Sequence, residues 1–293
     1  MNIVLMNGGL GNQLSQFIFL RWLETKTVAP CMIDDSAFFG SHVEHNGYEL
    51  ERIFGIRLPR LSERFDAGVW TDMIRRRDEG ISIPQQLYDA GGLAVFAYDA
   101  ENFSYDGNTV SIAAQGVPLV SGGNAYYHVY NLGATDQWAE IGDAVRGELR
   151  LPLLSDGTAN AYYARRIQAE SSAAVHVRRG DFLECGLDSP PEDFVDGIAT
   201  VERVSGNAVH YYLFSNDLDY CRSHWRALGL ENVAGRLTVV EGNRGKNAYI
   251  DMQLMSLCKY FITSRSSFSL LAYMLSTVPG KMLIAPIWQR YNV

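Results

Sequence analysis

The chain has 293 residues, 47 % apolar and 20 % charged, a balance that can fill one large domain or two ordinary ones and that excludes disorder. Its net charge of −8 argues against a general nucleic-acid binder, because phosphate contacts need a basic surface. A small phosphorylated ligand held by a few local cations stays within reach.

No apolar run approaches the length of about 18 residues that spans a bilayer. The opening "MNIVLM" has no basic flank and breaks at Asn7-Gly8-Gly9, so it reads as a first strand rather than a signal peptide or anchor. Cys31, Cys185, Cys221 and Cys258 lie far apart, without a CxxC or a Cys/His cluster. They read as reduced packing thiols of a cytosolic protein, and no metal site is expected.

In chain order, "NIVLM" (2–6) reads as a strand and "NQLSQFIFLRWLE" (12–24) as a helix, with Leu14, Phe17 and Ile18 at helical spacing and Asn12 as its cap. Residues 60–135, with Gly91-Gly92, Gly122-Gly123 and scattered tyrosines, read as loops and irregular structure. "TDQWAEIGDAVRGELRL" (135–151) predicts a helix capped by Thr135 or Asp136, with Trp138, Ile141, Val145 and Leu149 on its apolar face. Pro152 ends it, and "LLSDGTAN" is the most linker-like segment near the midpoint.

Beyond it a helix (158–170) leads into the strand "AAVHVR". Strands at 208–215, 236–242, 260–264 and 281–287 then alternate with helices at 217–228, 248–259 and 267–276. Repeated β/α units indicate doubly wound parallel sheets. The simplest architecture is an N-terminal α/β domain (1–155) and a C-terminal α/β domain (156–293).

Open α/β sheets bind ligands beyond the carboxyl ends of their strands. Four such ends stand out. "NGGLGNQ" (7–13) joins a strand to a helix with three glycines, suited to close backbone approach, and Asn12-Gln13 add two amides. A plain tight turn explains it equally well. In "AAVHVRRGDF" (173–182), His176 and Arg178 share one strand face while Arg179 points away. A guanidinium there suits bidentate phosphate binding, and pairing of either arginine with Asp181 is the bland alternative. "LFSND" (213–217) holds ordinary helix-capping residues. In 251–269, Asp251 sits on a helix, and Ser264-Arg265-Ser266-Ser267 end a strand where the next helix begins, a setting for a phosphate nest. Together these ends point to a nucleotide or nucleotide-sugar site between two domains, without metal or redox cofactor.

The same stretches resemble glycosyltransferase family 11, the bacterial α-1,2-fucosyltransferases. "GGLGNQLSQF" looks like the family's opening Gly-rich motif, "VHVRRGDF" its HxRRGD motif and "YYLFSND" its FSDD-like segment. "DMQLMSLCKYFITSRSSFSLLAYML" looks like its C-terminal motif. The order and spacing fit, and the resemblance covers the chain except thinly over 60–130.

It implies a GT-B-type α/β fold of two Rossmann-like doubly wound domains facing a cleft. The implied reaction is metal-independent, inverting transfer of fucose from GDP-fucose to the 2-hydroxyl of a galactoside acceptor, with no separate cofactor. Implied roles are Arg178 on the β-phosphate of the departing GDP, His176 on the nucleotide and Asp251 on the two N–H donors of guanine. Ser266, Ser267 and Phe268 would line phosphates and ribose, and Gly11 and Asn12 would reach the donor from the Gly-rich, acceptor-side domain. Asp181 is the favoured base, with Glu184 and Asp188 behind it.

Four positions depart from the pattern: Arg265 replaces the family's Asn, Leu270-Leu271 its Trp-Trp, Asn216 its first Asp of the FSDD-like segment, and "YYHVYNL" (126–132) its Gly-Tyr-Phe/Trp-Gln segment. Another GDP-deoxysugar donor, or a non-catalytic nucleotide- or carbohydrate-binding protein on the same fold, are the alternatives. A bacterial role in surface polysaccharide synthesis, no nucleic-acid partner and a cytoplasmic location with room for peripheral association at the inner membrane are also implied.

Overall fold

A computed structural model describes residues 1–41, 43, 45–92, 95–98, 109–111, 125–129, 134–184, 186, 188–206 and 208–284, with backbone alone for 95–98, 109–111, 134–135, 181 and 184. Cys185, Gly122-Gly123 and the 285–287 end of the last expected strand lie outside the described residues, as do the side chains of Thr135, Asp181 and Glu184. The chain divides into two compact units, Met1–Arg150 and Leu151–Val293.

The first unit has strands β1 (Asn2–Leu5), β2 (Cys31–Asp34), β3 (Val95–Tyr98), β4 (Thr109–Ser111) and β5 (Ala125–His128). They form a parallel sheet in the order β2-β1-β5-β3-β4. Its helices are α1 (Leu10–Lys26), α2 (Leu50–Phe54), α3 (Ala67–Asp78), α4 (Ile83–Asp89) and α5 (Ala134–Glu148). Helix α1 buries Leu14, Phe17 and Ile18 and packs against α5, where Arg21 pairs with Glu148 at 2.8 Å and Trp22 Nε1 donates to Glu140 at 3.0 Å.

Asn12 does not cap α1. Gly9 is the capping residue, and the helix starts at Leu10, because Gly8 turns the chain through φ +70° two residues earlier than expected. The 60–135 stretch is also more regular than its glycines imply. Asp66 caps α3 by accepting from Gly68 N and Val69 N at 3.0 Å. Trp70, Met73 and Ile74, spaced i, i+3, i+4, then lock into a cluster with Ile3, Met32, Leu61 and Tyr126.

The second unit has strands β6 (Ser172–Val177), β7 (His210–Ser215), β8 (Leu237–Val239), β9 (Tyr260–Thr263) and β10 (Met282–Ile284). Its helices are α6 (Ala159–Ala169), α7 (Asp181–Glu184), α8 (Pro191–Ser205), α9 (Leu218–Ser223), α10 (Tyr249–Ser256) and α11 (Ser267–Leu275). The sheet is parallel in the order β10-β9-β6-β7-β8. Counted within the unit, that order is 3-2-1-4-5 read from β8, the doubly wound pattern. Its direction of winding reverses between β6 and β9.

Helix α8 was not anticipated. It buries Phe194, Ile198 and Val201, and Gly197 lets it lie close on β9: an added Cβ there would come 2.5 Å from Ile262 Cγ2. Helix α9 is shorter than the expected 217–228, ending at Ser223 before the chain turns at Gly229 (φ +69°). Among the described residues no helix is long and apolar enough to cross a membrane.

Candidate active site

The carboxyl ends of β6 and β9 meet at the winding reversal, and they carry most of the second-unit candidates. Ser264 ties them together. Its backbone N–H donates to His176 O at 3.0 Å, its Oγ donates to the same carbonyl at 3.0 Å, and that Oγ accepts from Arg178 N at 2.8 Å. Fully buried, Ser264 thus sets where the chain leaves β6 and how Arg178 is presented.

His176 is 5 % exposed, and its ring lies 5.9 Å from that of Phe268, in the first turn of α11. Burial, and then the Arg178 charge, push its imidazole down to about 3, so it is neutral at physiological pH. His176 Nδ1 and Thr263 Oγ1 are buried without a hydrogen-bond partner, and the two residues are register partners on adjacent strands. Orphaned buried polar atoms side by side are rare inside a satisfied core and mark a place where a ligand can supply the missing bonds.

Arg178 is partly exposed, with its guanidinium 5.3 Å from the Phe182 ring centroid. Arg179 is placed differently. Its guanidinium stacks 3.4 Å over Tyr220, with Asp188 at 3.5 Å and Asp217 at 3.6 Å. The carboxylates that brace it are therefore Asp188 and Asp217. Asp181 begins α7, where only its backbone is described.

Asn216 holds the arginine turn by accepting from Arg179 N at 2.8 Å and donating to Arg179 O at 3.1 Å. It also fills the space beside Gly180, whose φ is +65° and where a Cβ would come 2.8 Å from Asn216 Nδ2. Ser215 Oγ donates to Val177 O at 2.7 Å, and Asp217 caps α9 through Tyr220 N at 3.0 Å. The "LFSND" segment is accordingly a brace and a cap.

Ser266 is buried at the N-cap of α11 and makes no side-chain capping bond, and Ser267 and Phe268 form the first turn. The N–H groups of a helix's first turn point along its axis and favour an anion. Asp251 lies on α10 and shares no hydrogen bond with this cluster. Its Oδ1 accepts from Asn243 Nδ2 at 2.8 Å, and burial pushes its carboxyl up to about 7 against the lowering effect of that bond.

Gly11 and Asn12 belong to the first unit, in the first turn of α1. Asn12 packs against Gly8. Gln13, expected to be available, is instead consumed internally: its Nε2 donates to Gly8 O and Gly47 O at 2.9 Å, and its Oε1 accepts from Glu49 N at 2.8 Å. The roles of Ser264, Asn243 and Asn160 were not foreseen; a serine directly after an apolar strand was the one visible signal. Among the described residues no three His, Cys, Asp or Glu side chains cluster so as to hold a metal ion.

Two doubly wound parallel sheets in one chain, one with a cation and a helix start at its winding reversal, define a GT-B-type glycosyltransferase fold. The fucosyltransferase NodZ from Bradyrhizobium shares it, with a TM-score of 0.50 at 13 % identity over 94 % of this chain and 92 % of that one. The model of glycosyl transferase family 11 matches residues 112–291, and the chain belongs to that family. An alpha-1,2-colitosyltransferase of Escherichia coli is 29 % identical over 127 residues, 41 % of this chain. That match spans 41 % of the relative's own length.

Proposed function

We propose that the protein transfers L-fucose from GDP-fucose to the 2-hydroxyl of a galactoside, with inversion at the anomeric carbon. The observation that carries this reading is Arg178, presented by Ser264 at the winding reversal beside the buried, unpartnered His176 Nδ1. In the reaction the bond from the sugar C1 to the β-phosphate oxygen breaks as the acceptor oxygen bonds C1 from the opposite face. The negative charge that develops on the leaving GDP falls to Arg178 and to the N–H groups that open α11, with Ser266 and Ser267 beside them.

His176 and Phe268 form the floor under the nucleotide, and the neutral imidazole adds no competing charge. Asp251 accepts the N1–H and 2-amino protons of guanine. Asp181, at the start of α7, takes the acceptor's proton as the general base. We assign the acceptor to the first unit, whose Gly-rich turn and α1 carry Gly11 and Asn12. Charge neutralisation by arginine makes the transfer independent of a metal ion.

A second reading, transfer of another GDP-linked deoxysugar, is favoured by the relative named for colitose. Incubation with GDP-fucose and lactose or other β-galactosides, followed by linkage analysis, tests both. The expected product carries α-1,2-linked fucose. Transfer from a different GDP-deoxysugar alone supports the second reading. Neither transfer nor GDP-fucose hydrolysis across the panel supports a binding protein instead.

A further inference from the structure

Asp251 is held by a chain of amides that the sequence does not advertise. Asn243, in the connection from β8 to α10, donates one Nδ2 hydrogen to Asp251 Oδ1 at 2.8 Å and the other to Asn160 Oδ1 at 3.0 Å. Asn160, near the start of α6, donates back to Asn243 Oδ1 at 2.9 Å. The reciprocal pair leaves Asn243 one orientation only, since a flipped amide would set its oxygen against the carboxylate.

We infer that Asn243, held by Asn160, is a specificity-determining positioning residue of the nucleotide site, fixing the Asp251 carboxylate for the edge of a guanine base. The inference rests on the proposed reading of Asp251 as the base reader. With one lone pair of Oδ1 taken by Asn243, the other Oδ1 lone pair and Oδ2 stay available as two parallel acceptors. Guanine presents two adjacent donors to such a pair, whereas adenine presents one donor and one acceptor.

The same N–H also keeps the carboxylate ionisable where it is needed. Burial alone raises the carboxyl, Asn243 lowers it, and the balance stands at about 7. Among the described residues no charged neighbour shares this task. Arg244 and Lys246 of the same connection are exposed, α6 joins this network through the neutral Asn160, which bonds Asn243, and Tyr273, the titratable residue of α11, packs on Phe261. His176, at about 3, does not titrate in the same window.

The test is calorimetric titration with GDP-glucose and ADP-glucose, whose diphosphodiesters carry no proton that titrates near neutrality, from pH 5.5 to 8.5. The proteins are wild type, Asn243→Ala, Asn160→Ala and Asp251→Asn. For wild type, GDP-glucose affinity should rise with pH through about 7 and then level off. Asn243→Ala should move that rise upward by about one unit, weakening binding about tenfold at the lower pH values and recovering much of it by pH 8.5. Asn160→Ala should shift it the same way by less.

A loss of equal factor at every pH in Asn243→Ala, or an unmoved midpoint, overturns the inference. The guanine-over-adenine ratio of Asp251→Asn separates the two claims. If the ratio collapses, the base-reader reading stands and the Asn243 profile decides. If it persists, that reading fails and the inference falls with it.

Discussion

Strand alternation sends the Arg178 and Arg179 side chains to opposite sides of the segment leaving β6, and their surroundings differ accordingly. Arg179 is sandwiched between Tyr220 and two carboxylates, with 16 % of its side chain exposed. Arg178 stands at the winding reversal with its backbone N–H fixed by Ser264. Arg178→Ala should therefore lower kcat by about 100- to 1,000-fold, the usual effect of deleting one transition-state donor, with an unchanged melting temperature. Arg179→Ala should lose about 1–2 kcal/mol of stability, read by urea denaturation, through its cation–π and ionic contacts.

Asp251 adds a prediction with a definite sign. Its folded value near 7 lies above the unfolded carboxylate value of about 4, so the folded chain holds a proton that the unfolded chain releases. Stability then falls as pH rises from about 4 to about 7 and is level above that. Asp251→Asn should accordingly melt higher than wild type at pH 8 and equal to it at pH 4, by thermal scans at both pH values. The discounted gain for a half-buried carboxylate is about 1 kcal/mol.

At the scale of elements, helix α8 shows how close packing fixes a layer. Gly197 meets Ile262 of β9, so Gly197→Ala should push the helix off the sheet and cost about 1–3 kcal/mol, read as a fall in melting temperature. Helix α11 ends under Lys281, whose Nζ donates to Tyr273 O and Ser276 O at 2.6 Å and to Met274 O at 3.3 Å. Lys281→Met removes the cation from three terminal carbonyls and should cost about 1–2 kcal/mol in the same assay.

Elements with unbroken periodicity, such as α1, α5 and β6, were legible in the sequence. Helix α8 hid behind Pro190-Pro191, and α3 and α4 hid in a stretch whose glycines and tyrosines suggested loops. The site divides the same way. His176, Arg178 and Ser266 could be singled out as candidates because each lies at or just beyond a strand end. Ser264 could not be assigned its task, because bonding to His176 and Arg178 depends on β6 lying beside β9, strands separated by two intervening β/α units. Asn160 and Asn243 meet only after α6 packs against α10.

For the molecule as a whole, both units are built on five-stranded parallel sheets. In the first, the Asn7-Gly8-Gly9 turn follows β1, and His128, pushed down to about 4 by burial, ends the neighbouring β5. In the second, the winding reverses between β6 and β9, and that point carries Arg178, His176 and the start of α11. In the proposed function this second site holds the diphosphate of a GDP-sugar through Arg178, and calorimetric titration of wild type and Arg178→Ala with GDP measures that contact. Wild type should bind GDP, and the variant should lose at least about 100-fold in affinity, equivalent to about 2.7 kcal/mol. Equal affinity in the two proteins would contradict that function.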